Sequence, residues 1–274
     1  MGRSWTIDST TWNEVDGSGN LVPDGNGNIW YADDIDGWQS AGLRQNLLDK
    51  VGAVGQILAM SEYQSRLITI KNGLVLCPSE AARYAVEIQL ATMLSVTESS
   101  AQKTLTVHED IDRICSWYLA GEHIAQEMRP QLWMGTLGVP GIYYPLQIEA
   151  NLLCIDPRKY SAAVHTLGLT GSNQPLVNAG NIGTPWTMTV TGAAVSSHGL
   201  QFNNQDILVF TNAYESIPSP LLIDSSTESV TDGSGNNVYG VIKVGNWQSL
   251  TKGSTNVKFA GTGTASISWR DAWI

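Results

Sequence analysis

The sequence predicts a mainly β protein in two parts: a first domain over residues 1–161 carrying one flanking α-helix, and an all-β second domain over residues 162–274. Three observations point there. Short apolar stretches alternate with Asp/Asn/Gly clusters along most of the 274 residues. Only one stretch, roughly residues 80–95, repeats its apolar residues at helical spacing. Beyond Ser161 the composition shifts to Thr, Ser, Gly, Asn and Val, with no helical periodicity at all. The length suits one to two domains of about 100–200 residues each. With 42% hydrophobic residues the chain can bury a core, and its 27 glycines and ten prolines favour many turns.

Residues 1–40 read as short strands between sharp turns. Asp16-Gly17-Ser18-Gly19-Asn20, Asp24-Gly25-Asn26-Gly27-Asn28 and Asp232-Gly233-Ser234-Gly235-Asn236 share one spelling. Aspartate and asparagine bond their own backbone in turns and glycine takes positive φ cheaply, so all three are hairpin signals. Residues 66–76 alternate as a strand, with Leu67, Thr69 and Lys71 against Ile68 and Ile70. Ser79 can then cap a helix in which Ala82, Val86, Leu90 and Leu94 recur, widened by Ala85 and Met93. Its apolar face should lie on a sheet. Strands resume at Thr104–His108. Ile111–Leu119 fits a helical face as well as a strand, and its Ile, Cys, Trp and Tyr content favours strand. Tyr144–Leu152 is the cleanest alternation: Leu146, Ile148, Ala150 and Leu152 point one way and Gln147, Glu149 and Asn151 the other, as in a half-buried antiparallel strand. In the second domain, strands are expected at Trp186–Val195, Ile207–Thr211, Leu221–Thr231, Val238–Val244, Asn256–Ala260 and Ala265–Trp269. That spacing suggests a sandwich. Pro157 closes the preceding strand by fixing its own φ and pushing Asp156 from helical geometry.

Charge narrows the function classes. Charged residues are only 15% of the chain, below the usual ~25%, so much of the surface is suited to meeting other subunits. The net charge is −10, and 19 of the 25 acids but 11 of the 15 bases lie in residues 1–161. Phosphate backbones attract basic patches, so specific nucleic-acid binding is disfavoured. The start of the chain lacks an apolar signal core, and no stretch approaches the ~18 apolar residues of a membrane span. Secretion and membrane insertion are not expected. Cys77, Cys115 and Cys154 lack metal-ligand spacing and read as reduced core thiols. His108, His123, His165 and His198 are scattered and read as surface or satisfied core residues. There is no G-x-S-x-G, Walker loop or H-E-x-x-H. Asp24-x-Asn26-x-Asn28 begins like a calcium loop, but Ile29 and Ile35 stand where glycine and a bidentate glutamate are needed. The acidic run Asp33-Asp34-Ile35-Asp36 therefore reads as solvated turn carboxylates. The chain is expected to be no enzyme and to need no metal or cofactor. Trp186, Trp247, Trp269 and Trp273 suit core or interface packing first, with Trp186 and Trp247 as candidate glycan-stacking residues.

Two segments carry a resemblance. The strand through Ile155 runs into Asp156-Pro157-Arg158-Lys159-Tyr160-Ser161, and the chain closes with Leu250-Thr251-Lys252-Gly253-Ser254-Thr255-Asn256-Val257-Lys258-Phe259 and Ser268-Trp269-Arg270-Asp271-Ala272-Trp273-Ile274. Together they resemble siphophage distal tail proteins, the Dit-like minor tail proteins of phages infecting actinobacteria. In that family a strand ends in D-P-R-K-Y-S, and the last domain closes with L-x-P-G-x-N-x-I-x-F and then W-R-D-A-W. Arg66–Gly73 resembles the family's R-x-I-x-L-x-G strand. Lys252 departs from the pattern, standing where proline is usual.

The resemblance implies a tail-tube-like β-sandwich with one flanking helix, forming a ring, usually hexameric, around the DNA channel. The second domain would be a peripheral galectin-like or carbohydrate-module-like sandwich. Implied partners are further copies of the chain, the tail tube protein, baseplate hub or tail fibre proteins and the tape measure protein, with DNA only in transit. The location implied is the virion tail tip, after synthesis in the host cytoplasm. An alternative function is a carbohydrate-binding adsorption module that contacts host cell-wall glycans. Asp156, Pro157, Arg158, Lys159 and Tyr160, with Arg270 and Asp271, are the expected hinge and interface residues. Asp156 should accept turn N–H groups, Arg158 or Lys159 should pair with an acid, and Tyr160 suits a seam.

Overall fold

The computed structural model describes residues 3–39, 41–49, 56–94, 102–119, 123–133, 140–192, 199–210, 220–261 and 263–274. It divides into two compact units, Met1–Lys159 with Ile274, and Tyr160–Trp273.

In the first unit an antiparallel sheet runs in the spatial order Thr10–Trp12, Ser4–Ile7, Lys103–His108, Arg113–Leu119, Gly141–Cys154, Arg66–Cys77, Ile29–Tyr31. Its spine is the pair Gly141–Cys154 and Arg66–Cys77, in register from Tyr144↔Cys77 to Cys154↔Arg66. The expected alternation holds: Leu146, Ile148, Ala150 and Leu152 are all buried. The register shifts between Ile148 and Ala150, opposite Gly73, where a Cβ would lie 2.8 Å from the Ile148 carbonyl oxygen. That close approach is what requires glycine there. Arg113–Leu119 is a strand, and it begins two residues after Ile111. Leu43–Asp49 and Gln56–Tyr63 pair with each other as a hairpin.

The helix spans Glu80–Met93, and Ser79 Oγ accepts from Ala82 N at 3.1 Å. Such a cap satisfies one of the four N–H groups left open at a helix start. The expected row largely holds: Val86, Leu90, Met93 and Leu94 are buried and Ala82 packs against the core, but Ala85 is exposed and Arg83 lies inward instead. A row spaced by four drifts around a helix of 3.6 residues per turn, so the inward stripe must mix steps of three and four. Arg83 tolerates the inward position because Glu80, Glu87 and Glu127 face it at 3.7, 3.8 and 2.7 Å. The core is rich in tryptophan. Trp5 stacks on Trp12 with centroids 4.6 Å apart, and Trp30 meets Trp12 edge-on at 5.2 Å.

The three Asp-Gly-x-Gly-Asn segments adopt one structure. In each, aspartate Oδ1 accepts from the backbone N–H groups two and four residues on, and Oδ2 accepts the asparagine side-chain amide. The second glycine takes a φ of 81° or 82° in all three. These bonds hold the Asp16 and Asp232 carboxyls below their ordinary range. Partial burial opposes ionisation of Asp24, but the Trp30 indole N–H, 2.9 Å away, and the turn amides outweigh it, so its pKa is also lowered.

Among its described residues the regular structure of the second unit is all β apart from a short 3-10 turn at Tyr239–Val241. One antiparallel sheet runs His165–Leu169, Thr264–Trp269, Trp186–Thr191, Leu221–Asp224, Ser229–Asp232, and the other runs Gln174–Asn178, Gly253–Phe259, Leu200–Phe202, Gln205–Asp206. Inward residues of both, including Met188, Ile223 and Ile267 from one and Leu176, Val257 and Phe259 from the other, form a single core. This is a sandwich.

Several second-unit expectations are corrected. The single strand expected over Leu221–Thr231 is a hairpin, because Asp224 Oδ1 accepts from Ser226 N at 2.7 Å and Glu228 takes a φ of 51°. The strand expected over Val238–Val244 starts only at Ile242, after the 3-10 turn. Ile207–Thr211 shortens to Leu208–Phe210 within the described residues, and residues 193–195 of the expected Trp186–Val195 strand lie outside them.

Candidate assembly site around Asp156–Ser161

The first four residues of the hexapeptide belong to the first unit. Asp156 Oδ1 accepts from Arg158 N at 3.0 Å, and Arg158 Nη1 lies 3.6 Å from Asp156 Oδ2. The turn is therefore closed by the aspartate expected to close it. Its main anchor is Arg66, 1% exposed, at the start of the Arg66–Cys77 strand. Arg66 Nε and Nη2 donate to the Pro157 carbonyl at 3.0 and 2.8 Å, while Nη1 donates to the Gly37 and Trp38 carbonyls at 2.9 and 2.5 Å. One guanidinium thus ties the hexapeptide to the Gly37–Trp38 turn. That turn needs glycine: φ at Gly37 is 82°, and a Cβ would sit 1.9 Å from the Leu67 carbonyl oxygen.

Lys159 is also buried, with Nζ 5.1 Å from the Trp38 ring centroid. Desolvation, reinforced by the like charge of Arg66, pushes its pKa down to about 8. Burial likewise lowers the Arg66 pKa. Acidic relief comes from Glu109, which accepts from Trp38 Nε1 at 3.1 Å and pairs with Arg3 at 3.3 Å and with Arg113.

The rest of the hexapeptide belongs to the second unit. Arg270 Nη1 donates to the Ser161 carbonyl at 2.7 Å and also to that of Ala162. Ser161 N donates to the Asp271 carbonyl at 2.9 Å, and Ser161 Oγ accepts from Asp271 N at 3.1 Å. The Asp271 carboxylate accepts from Ala179 N at 2.8 Å and from His165 Nε2 at 3.0 Å, and the His165 ring stacks on Trp269 at 5.3 Å. Tyr160 is half-buried. The terminal Trp-Arg-Asp-Ala-Trp motif is therefore a clamp on Ser161 and Ala162.

The two candidate glycan residues separate. Trp186 is 1% exposed and its Nε1 donates to the Gln248 carbonyl at 2.9 Å, so it offers no free face to a sugar ring. Trp247 is half-buried and lies between Trp186 at 6.5 Å and the exposed Tyr239 at 6.0 Å. His108 contacts Thr6 and Asp112, His123 is half-buried, and His198 lies outside the described residues. Asp33 accepts from Tyr31 and Asn72, Asp36 pairs with Lys71, and the Asp24 oxygens are taken up by their own turn. Among the described residues no group of three or more metal-capable side chains converges, and no helix is long and apolar enough to cross a membrane. Sequence reasoning noticed Arg66 only as the first residue of a strand. Its signal was a charged residue on the same inward phase as Ile68 and Ile70.

No protein-family model matches the chain, and no curated protein matches it. Solved structures do. The SPP1 Dit protein, described as a paradigm of the hub adsorption apparatus in phages infecting Gram-positive bacteria, superposes with a TM-score of 0.65 at 14% identity, over 99% of each chain. A chain of the phage P2 baseplate in its activated conformation with Ca matches at a TM-score of 0.54 and 12% identity, over 98% of each chain. The same baseplate with Sr gives 0.52 and 12%, over 98% of this chain and 97% of that one. The chain has a Dit-like, mainly β fold.

Proposed function

We propose that this chain is a structural subunit of a long non-contractile phage tail tip, forming a ring that joins the tail tube to the baseplate hub or tail fibre proteins and surrounds the DNA channel. One observation carries the reading: the likeness to SPP1 Dit runs end to end over both chains, so it embraces both units and the connection between them. The excess of acids in residues 1–161 supports it, since a negative wall lets DNA pass without adhering. On this reading residues 1–161 form the ring, with six copies expected, and residues 162–274 form a galectin-like domain at its periphery. Asp156–Ser161 is the hinge between them. The partners are further copies of the chain, the tail tube protein, hub or fibre proteins and the tape measure protein.

Labelled antibody against the protein, imaged on virions of the phage that encodes it, will mark the tail tip. Label on the head, or virions that lack the protein, would overturn the reading. A monomer in isolation would not, because small tail proteins can close into rings on their neighbours.

A second reading, host-glycan adsorption through the second unit, is favoured by one feature: Trp247 and Tyr239 form an aromatic pair beside the buried Trp186. Binding on a glycan array that is lost in Trp247→Ala would support it, and a silent array would remove it.

A further inference from the structure

We propose that Cys115 and Cys154 form a built-in cross-linking site, two thiols held ready to be oxidised to an intramolecular disulfide. The inference stands whether or not the chain assembles at a tail tip. Their Sγ atoms lie 3.2 Å apart, about 1.2 Å beyond the length of a disulfide bond. Cys115 lies on Arg113–Leu119 and Cys154 ends Gly141–Cys154. These strands are antiparallel neighbours with Leu152 opposite Leu119 and Leu153 opposite Tyr118. Continuing that register puts Cys154 on the same face as Trp117 and Cys115, so the two thiols point into one space. Both are buried, at 1% and 0% exposure. Cys154 is followed by the bend at Ile155–Asp156, where backbone outside a ladder can follow the sulfur as it closes.

The surroundings act on this pair in both directions. Arg66 and Lys159, both buried, act on Cys115 in the sense that favours its thiolate. The hydrogen bond with Cys154 and burial work against ionisation, raising the Cys115 pKa well above its ordinary value, so the reduced pair is slow to react at neutral pH. Cys77 is buried too and is pushed up to about 12, chiefly by desolvation. It serves as an internal control.

The oxidant class is a peroxide, small and uncharged enough to enter a core. The Cys115 thiolate attacks one peroxide oxygen, the O–O bond breaks, and the leaving hydroxide takes up a proton as water, leaving a sulfenic acid. Cys154, giving up its proton, attacks that sulfur; the S–O bond breaks and a second water leaves. Two thiols lose two electrons in all, and one peroxide becomes two waters. The bond closes across a separation of 39 residues and joins Arg113–Leu119 to the strand end that leads into Asp156.

The test uses the full chain, reduced and freed of reductant, then exposed to graded hydrogen peroxide at pH 7 and pH 9. Expected are the loss of two of three thiols, the mass of two hydrogens lost, and a Cys115–Cys154 linked peptide in a non-reducing digest. The reaction should run faster at pH 9, be reversed by dithiothreitol, and raise Tm. In Cys154→Ser a sulfenic acid trappable with dimedone should accumulate at Cys115 and no linked peptide should form. Three intact thiols at both pH values, a link through Cys77, or only intermolecular links would overturn the proposal. The wild-type peptide map decides even if the variant fails to fold.

Discussion

Arg66 and Arg270 perform the same task in different settings. Each holds one part of Asp156–Ser161 through backbone carbonyls, Arg66 in the first unit and Arg270 in the second. Arg66 is 1% exposed, and its donors meet three carbonyls rather than a carboxylate. Arg270 is only partly buried and stands beside Asp271, whose own carboxylate is occupied by Ala179 and His165. Carbonyl dipoles can hold a buried guanidinium because its donors form a planar fork, and because arginine does not give up its proton. A lysine offers neither property. Lys159, buried nearby, responds instead by lowering its pKa. The comparison teaches that the hexapeptide is held chiefly by the rigidity of arginine, and that its own cation, Lys159, is under electrostatic load.

The largest effect is expected at Arg66. Arg66→Ala removes hydrogen bonds from a charged donor to three carbonyls, each worth about 1.5–3 kcal/mol, and leaves the buried Trp38 carbonyl without that partner. A loss on the order of 3 kcal/mol or more is expected in a denaturant titration, with Arg66→Lys recovering little of it. Full rescue by lysine would show that charge alone does the holding. Arg270→Ala should cost about 1–2 kcal/mol, because its setting is partly solvated and water can replace it at Ser161 and Ala162. Equal losses at the two arginines would break the comparison.

The smallest effect is a slope. In the unfolded chain Lys159 titrates near 10.5, and in the folded protein near 8. Between those values the unfolded state holds a proton that the folded state has released, so wild-type stability rises with pH through that window and gains nothing further from this group on either side. Lys159→Met should flatten that rise in Tm between about pH 8 and 10.5. An unchanged slope would mean that the ammonium is not under load.

How much of this was legible beforehand depended on the physical signal each element carries. The Tyr144–Leu152 alternation and the Asp-Gly turns are local codes, and the structure follows both. The helix was legible in place, cap and most of its inward row, but the inward turn of Arg83 was not, because its shortest ion pair is with Glu127, a carboxylate 44 positions away in the chain. The Leu221–Thr231 hairpin was hidden because its turn, Asp224-Ser225-Ser226-Thr227-Glu228, contains no glycine or proline. His165–Leu169 and Gln174–Asn178 were not among the expected strands; they contain Gly168 and Pro175, residue types that weaken a strand pattern, and both sit within paired strands. At the site, Asp156 and Pro157 were legible because their geometry is local. The grip of Arg66 on Pro157 joins residues 91 apart and needs the fold to bring them together.

The recurrence of one five-residue spelling at three turns has a practical consequence. Each loop carries its own internal bonding, and at Asp16–Asn20 a Cβ placed on either Gly17 or Gly19 would meet nothing within 4 Å. The tip is outward and self-contained, the kind of place where inserted sequence is best tolerated. An epitope or fluorophore tag spliced there would leave the core tryptophans and the Arg66 anchor untouched, making this turn a natural handle for tracking the protein.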